Sequence, residues 1–212
     1  MQLQFNAHSR LLFIGDSITD CARNDDTEGL GSGYVRMLRD ALLARDPANA
    51  PIVLNRGISG NKAPDLLARW QRDVVEQSPD VVSIMIGIND VWHGLNPPWR
   101  PGVGIEKYIT TYRQILMELR GRLPACRLVL CEPTVISPPA HAKGNDALQP
   151  YIQAIHQLAE SFVADAMVKL HDAFRRAETL RPDVDWTTDG VHPTSAGHAL
   201  IARNWLAGTE LL

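Results

Sequence analysis

Five short apolar runs punctuate the chain: LLFI (11–14), IVLN (52–55), VVSIMIG (81–87), RLVLCE (127–132) and AMVKL (166–170). Each is too short for an ordinary helix and rich in branched residues, the pattern of strands buried on both faces. The segments between them carry apolar residues at spacings of three and four, which predicts helices with one buried stripe. From Ile105 the stripe is Tyr108, Ile109, Tyr112, Ile115, Leu116, Leu119 and Leu123. Leu66, Leu67, Trp70 and Val74 follow Pro64, a residue suited to opening a helix. Tyr151, Ile155, Leu158 and Phe162 mark another, and Leu200, Ile201 and Trp205 a last one, opened by Thr194 or Ser195 and closed near Gly208. Strand followed by helix, about five times over, predicts an α/β fold with a parallel sheet, helices on both faces and right-handed crossovers. The stretches 90–104 and 134–148 read as long loops, and long loops in compact domains are often functional.

The 212 residues suit one domain spanning 1–212, with no repeat, low-complexity tract or linker to divide it. Apolar residues at 45% supply a core, and charged residues at 21% are ordinary for a globular protein. A formal net charge of −3 lacks the basic footprint of a nucleic-acid binder. The opening MQLQFNAHSR has neither the basic start nor the apolar run of a signal peptide, and no stretch is long enough to span a bilayer. These features predict a cytoplasmic protein with no membrane partner. The cysteines agree: Cys126 and Cys131, five apart in CRLVLC, would face opposite sides of a strand, and Cys21 leaves an odd number.

In an open parallel sheet, ligands bind beyond the carboxyl ends of the strands. The first run leads into Gly15, Asp16 and Ser17. The second leads through RGIS to Gly60 and Asn61, and the third to Gly87, Ile88, Asn89 and Asp90. After the fifth come Asp189 and His192, in WTTDGVHPT. This set fits acyl transfer. A serine hydroxyl attacks only when a base takes its proton, and neutral histidine serves near neutrality. Asp189 can orient the imidazole, while backbone N–H groups of Ser17 and Gly60 and the Asn89 amide can face a developing oxyanion. Each residue alone has a blander meaning. A serine after a strand is usually a helix cap, a glycine or asparagine a turn residue, and Asp-x-x-His common by chance. Their order, each beyond its own strand, carries the reading.

GDSI (15–18), GISGN (57–61), GIND (87–90) and DGVH (189–192) resemble the four blocks of the SGNH hydrolases, also called the GDSL esterase/lipase family. Ile18 stands where the family name has leucine. The resemblance implies a three-layer α/β/α sandwich, a five-stranded parallel sheet in flavodoxin-like order, and no cofactor. It assigns Ser17 as nucleophile, Asp189 and His192 to the triad, and Ser17, Gly60 and Asn89 to the oxyanion hole. The longer runs LLFIGDSITDC, ARW, SIMIGINDVW and VHPTSAGH are similar to intracellular bacterial acetylxylan esterases, implying an acetylated small carbohydrate as substrate. Asp16, Trp92 and Trp186 are the expected substrate contacts, with Trp99 a weaker candidate. A short-chain esterase, thioesterase or lysophospholipase of the same family is the alternative. A nucleotide-binding module is the rival of another class, but GLGSG (29–33) continues with Tyr34 where the dinucleotide fingerprint needs glycine. His8, His156, His171 and His198 lack metal-ligand spacing, so no metal is expected. Tryptophans near the site hint at self-association into a homo-oligomer.

Overall fold

The structure is a computed structural model and describes residues 3–95, 101–134 and 142–212. Five strands form one parallel sheet: β1 (Arg10–Gly15), β2 (Ile52–Gly57), β3 (Val81–Met85), β4 (Arg127–Cys131) and β5 (Ala166–Val168). Their order is β2-β1-β3-β4-β5, so the expected flavodoxin-like arrangement is present. Gly15 pairs in register with both Gly57 and Met85, and the three strands therefore end level at one edge. The direction of winding reverses around β1, which opens the crevice where this kind of sheet receives ligands.

The main crossovers are α2 (Tyr34–Arg45), α3 (Ala63–Asp73), α5 (Ile105–Arg122) and α6 (Ala142–Ser161), with α8 (Ser195–Gly208) at the end. Because β2 lies on one side of β1 and all later strands on the other, right-handed connections send α2 to one face and α3, α5 and α6 to the opposite one. The α2–α8 layer covers the face that carries Phe13 and Ser83. Phe13 meets Tyr34 edge-on with ring centroids 5.7 Å apart and Trp205 at 5.4 Å. Ser83 is a polar break in an apolar strand, and its hydroxyl accepts the Trp205 indole N–H at 3.0 Å. The other layer fully buries Tyr108, Tyr112, Ile115, Leu116 and Leu119 of the α5 stripe, with Ile109 and Leu123 partly covered at its sides, and the Tyr108 hydroxyl donates to Ile86 O at 2.9 Å.

Two expected loops are shorter than the sequence suggests. Residues 88–95 form α4 (Ile88–Leu95), which occupies the start of the stretch 90–104. Its buried face includes the polar Asn89 and Asp90, which broke the apolar spacing that would have revealed it. Likewise α6 reaches back to Ala142, because Leu148 and Ile152 extend its stripe. Gly144 and Pro150, both poor helix formers, disguise that extension. Helices α1 (Ser17–Asp20) and α7 (His171–Leu180), with 3-10 turns at Arg23–Asp25 and Val75–Gln77, complete the described fold. No helix among the described residues is long and apolar enough to cross a membrane.

Gly15 is required by packing. A Cβ there would collide with Met85 O and with the Thr19 side chain, which is why β1 can turn so tightly into α1. Gly15→Ala is expected to cost about 1–3 kcal/mol of stability through overpacking, read as a lowered midpoint in thermal or urea unfolding. An unchanged midpoint would show that the turn relaxes freely.

Candidate active site

Ser17 is the first residue of α1, but it is not the cap. The Asp16 carboxylate accepts the Ile18 N–H at 3.0 Å, and the serine hydroxyl is left to face elsewhere. It faces His192, with Oγ 2.9 Å from Nε2. On the other side of the ring, Nδ1 lies 2.6 Å from Asp189 Oδ2. A carboxylate accepts, so Nδ1 carries the proton and Nε2 is the acceptor for the serine hydroxyl. The three side chains form one file across 175 residues of sequence separation between Ser17 and His192.

The Asp189–His192 turn is built locally. Thr187 and Pro193 form an antiparallel bridge, and Thr188 N–H donates to His192 O at 2.8 Å. Inside the turn, Asp189 Oδ1 accepts the N–H groups of Val191 at 3.0 Å and His192 at 2.8 Å. Partial burial alone would raise the Asp189 pKa, but these bonds and the imidazole hold it below the usual carboxylate range. Immediately after the turn, the Thr194 hydroxyl caps α8 by accepting the Gly197 N–H, so the histidine is carried on the entrance of a rigid helix. One turn further on, His198 Nδ1 accepts the Tyr34 N–H at 3.2 Å and joins α8 to the start of α2. Burial, and then proximity to His192, push the His198 pKa down to about 4, so it adds no charge beside the site at neutral pH.

Gly60 lies in the β2–α3 loop with φ 79, in the left-handed region that glycine tolerates best. Asn89, in the first turn of α4 and nearly buried, donates one amide hydrogen to Asn61 O at 3.0 Å. Its amide carries a second hydrogen. The loop is tied to the end of β1, just before Ser17, by Ile58 N–H, which donates to Gly15 O at 3.1 Å.

One expectation needs correction. Asp16 is not placed to touch substrate, being only 1% exposed with its carboxylate turned onto the Ile18 N–H. The tight strand-to-helix turn draws it inward. Trp92 and Trp186 are half-buried against the core, and the Trp186 indole donates to Arg181 O at 3.2 Å. Trp70 and Trp205 are buried, so no tryptophan among the described residues is fully exposed. Trp99 lies outside the described residues.

The principal side chain that sequence reasoning missed is Arg69. Its guanidinium donates to Gly15 O at 3.0 Å, Arg56 O at 2.7 Å, Asn61 Oδ1 at 2.8 Å and Asp73 Oδ2 at 2.7 Å. The available signal was an Arg–Asp pair four apart within the apolar stripe of α3.

A hydroxyl, an imidazole and a carboxylate in one hydrogen-bonded file, open at the switch point of a parallel sheet, define a serine carboxylic-ester hydrolase. Known proteins agree. Residues 13–200 match the GDSL-like Lipase/Acylhydrolase family. The chain is 36% identical to an acetylxylan esterase of Geobacillus stearothermophilus, over 96% of this chain and 95% of that one. A crystal structure of an acetylxylan esterase from that organism superposes with a TM-score of 0.88 at 35% identity, covering 98% of this chain and 96% of the other. A protein from Parabacteroides merdae, named for its likeness to GDSL lipases, superposes with a TM-score of 0.90 at 34% identity over 100% of both chains. Three catalytic mutants of the Geobacillus esterase, each solved as a crystal structure, replace an aspartate, a serine and a histidine by alanine. The chain belongs to the GDSL-like lipase/acylhydrolase family.

The buried acids give a pH dependence of stability. Burial pushes Asp16 up to about 7 despite the Ile18 N–H, His192 and Arg69, and burial does the same to Asp90. Between the ordinary value of 3.8 and about 7, the folded protein keeps a proton that the unfolded chain releases. Stability from such a group is therefore complete below 3.8 and is lost as pH rises towards 7, by up to about 1.4 kcal/mol per pH unit for one proton. Urea unfolding of the wild type and Asp16→Asn at pH 4 to 7 should show the variant gaining relative stability as pH rises. Parallel curves would mean that Asp16 is ionised throughout.

Proposed function

We propose that the protein removes O-acetyl groups from xylo-oligosaccharides or similar acetylated sugars through an acyl-enzyme on Ser17. The observation that carries this reading is the 2.9 Å and 2.6 Å file from Ser17 through His192 to Asp189. The likeness to an acetylxylan esterase over nearly the whole chain supports the substrate. Ser17 Oγ attacks the ester carbonyl carbon while its proton passes to His192 Nε2. Asp189, held ionised by its hydrogen bonds, stabilises the imidazolium. The tetrahedral oxyanion rests on the N–H groups of Ser17 and Gly60 and on the free hydrogen of the Asn89 amide. Collapse expels the sugar oxygen, which takes the proton from His192. Water then attacks the acetyl-serine with the same histidine as base, releasing acetate and restoring the hydroxyl.

The reading extends to a cytoplasmic location. All three cysteines are free, and burial raises the thiols of Cys126 and Cys131 to about 12, so both behave as small packing groups. Such a set suits a reducing compartment.

Acetate release from acetylated xylobiose, compared with hydrolysis of p-nitrophenyl acetate and octanoate, tests the substrate. A high rate on the sugar with octanoate poor is expected; an inert sugar with good octanoate turnover would move the protein towards lipases or thioesterases. Ser17→Ala should lower turnover by about 10⁴-fold or more, and a rate near wild type would remove the serine from the mechanism. Asn89→Ala should cost about 100-fold, mainly in kcat, whereas a pure rise in KM would make Asn89 a binding residue only. Because the base must be neutral, kcat/KM should fall on the acid side as His192 takes up a proton, and a profile flat from pH 5 to 8 would argue against it.

A further inference from the structure

The three proposed oxyanion donors sit on three separate segments. Ser17 opens α1, Gly60 lies in the loop before α3, and Asn89 begins α4. Of these the loop has least of its own to hold it. Gly60 is in the left-handed region, and a glycine imposes no conformation on its neighbours. A donor that drifts contributes little, because oxyanion stabilisation depends on dipoles aimed in advance.

Two carboxylates grip this loop from opposite ends. Asp20, the last residue of α1, uses Oδ2 to accept the Ser59 N–H at 3.0 Å and the Ser59 hydroxyl at 2.7 Å. Its other oxygen lies 3.9 Å from Arg23 Nε, which itself donates to Gly57 O at 2.6 Å at the head of the loop. Asp90, the neighbour of Asn89, meets the Ala63 N–H with its two oxygens at 3.2 and 3.3 Å, at the tail of the loop. Between these anchors, Asn61 O receives the Asn89 amide, and Asn61 Oδ1 receives Arg69. The pattern is reciprocal. Each acid stands on a helix that carries one donor, and each bonds to the loop that carries the third.

We infer that Asp20 and Asp90 are positioning residues for the oxyanion site, locking the Gly60 loop onto the helices that present Ser17 and Asn89. The inference rests on the oxyanion roles proposed above for Ser17, Gly60 and Asn89. Neither acid touches the reacting atoms. Their work is to fix the spacing of donors that do, and displacement of a reacting geometry by about 1 Å can cost 100-fold in rate. The two acids are also chemically distinct. Asp20 receives three groups or more and needs both oxygens as acceptors, so an amide in its place would turn an N–H towards Arg23. Asp90 needs to satisfy one N–H, which a single carbonyl oxygen can do.

The test is steady-state hydrolysis of p-nitrophenyl acetate by the wild type, Asp20→Ala, Asp90→Ala, Asp90→Asn and Ser17→Ala, with circular dichroism reporting the folded fraction. Asp20→Ala and Asp90→Ala should lower kcat per folded molecule by about 10- to 100-fold with KM changed less than about threefold. Asp90→Asn should recover to within about threefold of the wild type, since its amide oxygen can still accept the Ala63 N–H. Alanine variants with kcat near wild type, or an Asp90→Asn variant as slow as Asp90→Ala, would overturn the inference. If Asp90→Ala fails to fold, Asp20→Ala, on the less buried side of the loop, decides the matter alone. Ser17→Ala separates the two levels. An active Ser17→Ala would sink the reading on which the clamp rests, while an inactive one beside fully active Asp20→Ala and Asp90→Ala would sink the clamp alone.

Discussion

The site depends on one buried cation. The Arg69 guanidinium reaches from α3 to the carbonyl ends of β1 and β2 and to the Asn61 side chain, and Asp73 one turn on balances its charge. Burial lowers the Arg69 pKa from its ordinary value, and the Asp73 partner pulls it back. Such a pair gives little net stability against an apolar replacement, but removing one partner leaves a buried charge alone. Its value here is geometric. Strand ends have carbonyls with no further ladder to join, and a parallel sheet that must stop level at a crevice exposes several at once. A planar group with five donors can satisfy them in a fixed arrangement, which an ammonium could not. Arg69 thereby holds the end of β1, from which Ser17 emerges, against the loop that carries Gly60.

A second constraint comes from the other layer. The His192 turn is distant in sequence from Ser17 and belongs to the segment that enters α8. Its position is set by the cap at Thr194, by the His198 bond to the start of α2, and by Trp205, whose indole is fixed on Ser83 in β3. The proposed nucleophile, Ser17, is thus mounted on the sheet, and the proposed base, His192, on the helix layer beside it. The two meet because both layers pack on the same strands. This explains why a family whose motifs are scattered across the chain needs no insertion to assemble its site: each block is the end of an element whose packing is already determined.

The electrostatic pattern follows the same division. Asp189 lies in an open turn and is held charged by hydrogen bonds, while Asp16 and Asp90 lie inside and are pushed towards neutrality by burial. Acids close to one another in space therefore have different duties. The exposed one can support a positive imidazole, and the inner ones serve as acceptors for backbone N–H groups at the starts of α1 and α3. His198, kept neutral by burial, can bond to α2 without opposing the charge that His192 would gain as the proposed base.

Much of this was legible in the chain itself. Short branched runs and three-four spacings determined the strand and helix sequence, because buried strands and amphipathic helices impose those periods locally. The order Ser17, Gly60, Asn89, Asp189 and His192 was also readable, since each lies just beyond an element whose end is marked by glycine or a polar residue. What sequence could not settle were matters of direction and burial. Asp16 looked available to substrate, yet the turn after β1 aims it inward. Trp92 and Trp186 were expected at the substrate, and the core takes up part of each ring. Asp20 and Asp90 read as residues that orient loops, and Arg69 carried no assignment; a helix or loop position does not reveal which strand ends or loop groups lie within reach. Periodicity speaks for one element at a time. The grip of Arg69, Asp20 and Asp90 on the Gly60 loop exists only where several elements end together, so tertiary packing alone decided it.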